Sequence, residues 1–257
     1  MGSRRRNRLA TLNPARPNMV RARLCVAVAL TGFFVAAHAA PRAEVQVALC
    51  EPLDDLSRKL RLTPREAPYE TWHFDDARLV LLGRSVRIRL RDRPHGAELT
   101  VKAATQDCAT ASIQKRHGKC EYDVYGGKTQ GAVSLSRKLD ARQSRSLVAA
   151  TQPLAALLST AQAQYLRDVV GLWPLPGDLR PLGPIANAVY ADGRGYDIDV
   201  NTLPDGKRYI EIGIKVALPD AASAQRDLDA YLASAGVTVC ADQRGQAADK
   251  LRRLAAP

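Results

Sequence analysis

Charged residues in this 257-residue chain recur at every second position along several apolar stretches. Arg87, Arg89 and Arg91 alternate with Val86, Ile88 and Leu90, and Lys102 follows Leu99 and Val101. Lys119, Glu121 and Asp123 alternate along Lys-Cys-Glu-Tyr-Asp. Asp197 and Asp199 alternate in Tyr-Asp-Ile-Asp-Val, and Glu211, Gly213 and Lys215 alternate with Ile210, Ile212, Ile214 and Val216. Successive strand side chains point to opposite faces, so each run gives a strand one charged face and one apolar face. Guanidinium and ammonium groups are fixed cations that hold anions, and carboxylates hold divalent cations. If these strands curve into a barrel, the charged faces line one cavity. On an open antiparallel sheet they face solvent, which is the commoner meaning of such alternation.

Other chemistry has little support. There is no Gly-x-Ser-x-Gly elbow, no phosphate-binding Gly-rich loop and no His-Glu-x-x-His pair. His73, His95 and His117 are scattered, and the last two fall in predicted turns where solvent exposure is expected. Ser134-Leu135-Ser136-Arg137-Lys138 is a basic patch that could receive an anion at a cavity mouth, although a solvated strand or loop is the commoner meaning. Trp72 reads as a core or edge aromatic.

The elements that must position these residues follow from pattern and turn chemistry. Val45, Val47 and Leu49 alternate with Glu44, Gln46 and Ala48, adding a first strand to those above. Arg93-Pro94-His95-Gly96 and Pro204-Asp205-Gly206 read as hairpin turns, so the pairing is mostly antiparallel. Amphipathic patterns predict helices over residues 54–62, 153–170, 221–235 and 247–254, with Gly236 as the stop of the third. Residues 173–184, rich in Pro and Gly, read as a loop or hinge. With 3 Phe and 2 Trp in the chain, Val, Ile, Leu and Ala must fill most of the core. The fold class is α+β, and whether residues 126–184 form a lid or an added helical layer stays open.

The order of motifs carries a resemblance. His73-Phe74-Asp75-Asp76-Ala77-Arg78-Leu79-Val80-Leu81-Leu82-Gly83, then Ser85-Val86-Arg87-Ile88-Arg89, then Glu98-Leu99-Thr100-Val101-Lys102 resemble the CYTH domain, the triphosphate tunnel metalloenzyme superfamily. Lys119-Cys120-Glu121-Tyr122-Asp123 is similar to that family's Arg-x-Glu-x-Glu strand. Asp197-Ile198-Asp199 and the stretch from Pro204 to Ile212 are similar to its late acidic strands. The resemblance runs, with gaps, from about Glu44 to Val216. It implies an antiparallel eight-stranded tunnel-like β-barrel with flanking helices, whose members are triphosphatases or class IV adenylyl cyclases. It implies an anion-binding set of Arg87, Arg89, Lys102 and Lys119, to which Lys215 is added. It also implies metal ligands among Glu44, Glu121, Asp123, Asp199 and Glu211 for Mg²⁺ or Mn²⁺, ions that bridge phosphates and activate water.

Departures from the family are concentrated on the metal side. The first-strand Glu-x-Glu-x-Lys hallmark is matched only by Glu44-Val45-Gln46-Val47-Ala48, the second Glu of the late strand is Gly213, and Asp76 replaces a Thr. Gln can coordinate through its carbonyl oxygen but adds no charge. Because a hard cation gains much of its affinity from anionic ligands, two fewer should weaken it considerably.

The start of the chain reads as an export signal: Met19-Val20-Arg21-Ala22-Arg23, an apolar run over 24–37, then Ala37-His38-Ala39 before Ala40-Pro41. The run is shorter than the roughly 20 residues of a membrane span. Cleavage is expected after Ala39, giving a leader over 1–39 and a single CYTH-like domain over 40–257, periplasmic or secreted and without a membrane span. Losing seven arginines and no acids lowers the formal charge from +12 to +5, so no nucleic-acid partner is expected. Cys50, Cys108, Cys120 and Cys240 remain, an even number suited to an oxidising compartment. Of the three pairings four cysteines allow, Cys108–Cys120 with Cys50–Cys240 is favoured: the first closes a short loop between predicted strands, the second ties the start of the domain to its end.

These readings converge on an exported tunnel protein that binds a phosphorylated or polyanionic small ligand, with catalysis weak or lost. The alternatives are a divalent-metal-dependent triphosphatase or polyphosphatase, and a non-catalytic envelope structural or interaction protein.

Overall fold

A computed structural model describes residues 41–106, 108, 118–243 and 246–256; the expected leader and His117 lie outside them. Ten strands run β1 (Arg42–Leu49), β2 (Thr63–Pro64), β3 (Tyr69–Asp75), β4 (Val86–Arg93), β5 (Gly96–Thr105), β6 (Lys119–Tyr125), β7 (Lys128–Leu139), β8 (Arg180–Ala191), β9 (Asp197–Thr202) and β10 (Arg208–Ala217). The helices among the described residues are α1 (Leu53–Leu60), α2 (Val80–Gly83), α3 (Ala141–Val148), α4 (Leu154–Leu157), α5 (Thr160–Asp168), α6 (Ala221–Ser234) and α7 (Gln246–Ala255). None is long and apolar enough to cross a membrane.

Nine strands close a barrel in the order β8-β3-β4-β5-β7-β6-β1-β10-β9, with β9 pairing back to β8; the two-residue β2 adds to β8 outside the ring. The expected tunnel is therefore present with two corrections. It has nine strands, not eight, and β1 runs parallel to β6, while the other pairs are antiparallel. The ninth strand was hidden by prolines: residues 173–184 read as a loop, yet β8 begins at Arg180 and contains Pro181 and Pro184. A register shift between Thr71 and His73 in the β3–β8 pair accommodates them. Gly183 sits there at φ +143°, and a Cβ at that position would come within 2.9 Å of the Thr71 carbonyl oxygen, so only glycine fits.

The hydrophobic core lies outside the barrel, in two layers. Ile88, Leu90, Leu99, Val101, Val133 and Leu135 turn outward beneath Leu147, Leu154 and Leu166 of α3, α4 and α5. On the other side Val45, Val47, Ile198, Ile210 and Ile212 pack beneath Leu56 of α1 and Leu228 and Leu232 of α6. Since each buried Leu or Ile contributes about 1.5–3 kcal/mol, these layers fix which strand face points out. The charged alternate residues then have only the lumen.

The helical stretch expected over 153–170 is broken into two. Ser159 accepts a hydrogen bond from the Gln162 amide, and the Gln162 side chain accepts from the Ser159 amide, so a capping box starts α5. The same Gln162, fully buried, donates through Nε2 to the carbonyls of Leu99 (3.0 Å) and Leu135 (2.9 Å), tying α5 across β5 and β7. Residues 126–184 are thus β7, an outer helical layer and the start of β8, not a lid. Asp75 and Asp76, both buried, accept the amides of Leu81, Leu82, Arg78 and Val80; they shape the turn that enters β4.

Both favoured disulfides form. Cys108–Cys120 spans 12 residues, and Cys50–Cys240 spans 190, joining the end of β1 to the segment before α7. Beside it the Gln243 side chain clips the edge of β1 beyond its pairing with β6, accepting from the Ala48 amide (2.8 Å) and donating to the Ala48 carbonyl (3.0 Å). Replacing Cys50 and Cys240 together by Ser is expected to lower the unfolding free energy by about 2–5 kcal/mol, because the unfolded chain regains the freedom of a long loop. Urea unfolding of the oxidised variant against wild type measures this; an unchanged midpoint would contradict it.

Candidate functional site

The inward faces enclose a cavity of about 1070 Å³ running through the barrel. Every residue expected from sequence lines it: Arg87, Arg89, Lys102, Lys119 and Lys215, and Glu44, Glu121, Asp123, Asp199 and Glu211. Strand order separates the charges. Four arginines, Arg87, Arg89, Arg91 and Arg93, form one wall on β4. Five strands on around the ring, β10 presents Glu211, beside Asp197 and Asp199 of β9 and Glu44 of β1.

Register sets the neighbours on the basic side. Arg87 lies opposite Lys102, which lies opposite Ser134, which lies opposite Lys119. Arg89 lies between His73 and Thr100, and the Thr100 hydroxyl is 2.9 Å from that of Ser136. Ser134 and Ser136, part of the basic patch read from sequence, thus face the lumen, whereas Arg137 points out and donates to the Leu157 carbonyl (2.8 Å). The arginine row has few counter-charges. The Nε of Arg89 and the Nδ1 of His73 are buried with no hydrogen-bond partner. Burial, then the flanking Arg91 and Arg87, lowers the Arg89 guanidinium to about 9, still charged at neutral pH. Burial, then Arg89, Arg87 and Lys250, holds the His73 imidazole well below its ordinary range, so it is neutral at pH 7.

On the opposite wall burial raises the Asp199 carboxyl, and Glu44 and Glu211 raise it further. Three carboxylates therefore sense one another, yet they do not form a metal centre. Mg²⁺ or Mn²⁺ needs oxygen ligands converging on one point. Among the described residues no three His, Cys, Asp or Glu side chains do so. Cations of the chain engage Glu44, Glu211 and two neighbouring carboxylates instead: Lys215 on Glu44 (3.8 Å), Lys250 on Glu211 (3.8 Å), Lys102 on Asp123 (2.7 Å) and Arg65 on Asp197. Nor can the missing carboxylate simply be restored, because a Cβ at Gly213 would lie 2.9 Å from the Val45 carbonyl oxygen. With Arg65, Lys215 and Lys250 on Asp197, Glu44 and Glu211, the donor set does not fit a divalent cation.

Two lumen residues that bear on the chemistry, His73 and Lys250, were not among those expected from sequence. His73 shares the inward face of β3 with Tyr69 and Thr71, an alternation too short to stand out. Lys250 comes from α7 and is 8% exposed. Its signal was present, since Ala247, Lys250, Leu251 and Leu254 occupy the i, i+3, i+4, i+7 stripe that a helix buries. Leu254 packs on the cluster of Ile185, Leu203 and Tyr209, and the Tyr209 hydroxyl donates to Asp249, docking α7 against the ends of β8 and β10.

No protein-family model matches the chain, and no curated protein sequence does. Solved structures do. A candidate adenylyl cyclase from Hippeastrum, reported to have a dominant triphosphatase activity, is 18% identical with a TM-score of 0.54, over 82% of this chain and 94% of that one. A candidate adenylate cyclase from Bacillus halodurans is 12% identical with a TM-score of 0.56, over 81% and 97%. Together with the motifs and the closed barrel, these matches define the class: the chain has the CYTH-type tunnel fold, in a divergent form.

His73 gives the site a pH signature. Its folded pKa lies below the unfolded value of about 6.5, so as pH falls below that value the unfolded chain takes up a proton the folded chain refuses. This contribution to stability is therefore complete above about pH 6.5 and is lost as pH falls toward the folded pKa, by at most about 1.4 kcal/mol per pH unit. His73→Gln should flatten the difference in unfolding free energy between pH 7 and pH 5, as measured by urea titration at each pH; an identical slope in the variant would contradict a neutral His73.

Proposed function

We propose that this is an exported tunnel protein that captures a phosphorylated or polyanionic small ligand and hydrolyses it poorly or not at all. The observation that carries the reading is the arginine wall of β4, whose Arg89 and neighbouring His73 hold buried polar atoms without partners inside a cavity large enough for a small ligand. A phosphate chain would supply what the wall lacks: acceptor oxygens for guanidinium donors and negative charge against mutual repulsion. Lys102 and Lys119, in register with Arg87, would extend the contact, with the Thr100, Ser134 and Ser136 hydroxyls as neutral donors. Arg and Lys here bind and orient the anion; His73, neutral, would take a proton as negative charge arrives.

Poor turnover is supported by the acidic wall. Metal-assisted hydrolysis needs an ion to polarise the phosphoryl group and activate water, and Gln46, Gly213 and the lysine partners leave the carboxylates unfit to hold one. Export fits with this reading, since nucleoside triphosphates are expected to be scarce outside the cytoplasm. The two disulfides support delivery to an oxidising compartment, periplasmic or extracellular. The triphosphatase activity reported for the Hippeastrum protein favours the enzyme as the second reading.

Calorimetry with tripolyphosphate on the mature chain separates the readings. Binding without turnover in Mg²⁺ or Mn²⁺ is expected. Arg89→Ala should weaken binding roughly tenfold to a hundredfold, the worth of one charged hydrogen bond. Metal-dependent phosphate release abolished by Glu121→Gln would establish the hydrolase, and neither binding nor release would leave a structural envelope role.

A further inference from the structure

Lys250 is a lumen cation supplied by a helix and not by a barrel strand. It reaches the acidic wall from α7, 8% exposed, with Nζ 3.8 Å from Glu211 Oε2 and 5.7 Å from the centre of the Tyr209 ring. Glu211 is the direct cross-strand neighbour of Asp199. A niche of about 10 Å³, room for a single water, lies between Glu44, Gln46, Asp197, Asp199 and Glu211. Three of the four acids bordering it are engaged by a lysine or arginine, and Asp199 lies within the electrostatic reach of Lys250. Burying an ammonium group is costly unless carboxylates compensate it, and uncompensated carboxylates this close would be equally costly. Each side of the pair stabilises the other. Lys250 and Lys215 together bring two positive charges to this wall, the charge of one divalent ion. Residue 48, in register with Glu211, is Ala, so β1 supplies no charge there.

We propose that Lys250, delivered by the C-terminal helix, takes the place of a divalent metal ion at the Glu211–Asp199 wall, so that anion capture in the tunnel needs no metal. The helix is set for this by what fixes the chain before and around it: the Cys50–Cys240 disulfide, the Gln243 clip on Ala48, the Tyr209–Asp249 hydrogen bond and the packing of Leu254. The ammonium neutralises the acids and, with Arg87 and Arg89 also close enough to act on it, adds to a positive potential across the lumen. This deepens the anion-binding reading and rests on it only for the ligand; the exchange of lysine for metal can be read without any ligand.

The test is Mn²⁺ binding, followed by electron paramagnetic resonance, to the full mature chain with no phosphate present. Wild type should bind no Mn²⁺ at this wall. Lys250→Met, which keeps the stem and removes the charge, should gain a Mn²⁺ site, and Glu211→Gln added to it should abolish that site. Lys250→Arg should behave as wild type, which separates the charge from the packing of α7. A thermal midpoint for each variant confirms that it is folded. A Mn²⁺ site in wild type, or none gained by folded Lys250→Met, would overturn the proposal. In a second arm, wild type should bind tripolyphosphate equally, within about twofold, in EDTA and in Mg²⁺, and Lys250→Met about tenfold more weakly in EDTA. Tenfold tighter binding in Mg²⁺ than in EDTA would also overturn it. Failure of wild type to bind tripolyphosphate under either condition would instead sink the anion-binding function, and a Mn²⁺ site gained by Lys250→Met would still assign the lysine its role.

Discussion

Repulsion within one strand organises this molecule. Arg87, Arg89 and Arg91 stand two residues apart on β4, facing a closed lumen, where fewer waters screen them than on a surface. Compensation at the centre of the row is incomplete: Glu98 of β5, opposite Arg91, acts on Arg89, yet Arg89 retains an unpartnered Nε and His73 is kept neutral beside it. Such an arrangement persists only because packing elsewhere over-determines it. The Ile88 and Leu90 side chains between the arginines are buried under the outer helices, and turning the arginines outward would turn these into the lumen. The outer core thus holds the strand in an orientation that its inward charges oppose, an opposition that a bound anion would relieve.

The opposite wall has been resolved differently. Its carboxylates would repel one another as the arginines do, but lysines reach them: Lys215 along the same strand pair, Lys102 across from β5, and Lys250 from a helix at the other end of the chain. Glu44, Asp197 and Glu211 of the acidic wall are thus held by cations of the chain, whereas the Nε of Arg89 in the basic wall has no hydrogen-bond partner. That asymmetry favours an anion over a metal–anion complex as the guest. The two disulfides serve the same arrangement, one closing the β5–β6 connection and the other holding the segment that carries α7.

Much of this could be read from residues alone, for a physical reason. Period-two alternation fixes which side chains share a face, and the spacing of Leu-Arg-x-Arg-like and Leu-Thr-x-Lys-like stretches fixes their order, so the tunnel and all ten expected lining residues follow. What could not be read depends on contacts distant in sequence. Whether a charged face points to lumen or solvent is decided by closure between β8 and β9, which no local pattern encodes. β8 itself was masked by Pro181 and Pro184, tolerated only because Gly183 lets the chain shift register against β3. The parallel β1–β6 pair joins segments more than seventy residues apart. Lys250 was visible as a charge in an apolar helical stripe, but its target, Glu211, is defined only when α7 docks.

The most direct test of the arginine wall is an NMR titration of the His73 imidazole with and without saturating tripolyphosphate, in EDTA. His73 is depressed by burial and by the cations around it, so an anion bound among Arg87, Arg89 and Arg91 must offset part of that field. A midpoint below the usual imidazole range is expected in the free protein, with a clear rise when the anion is added. A midpoint that is unchanged by tripolyphosphate would contradict it.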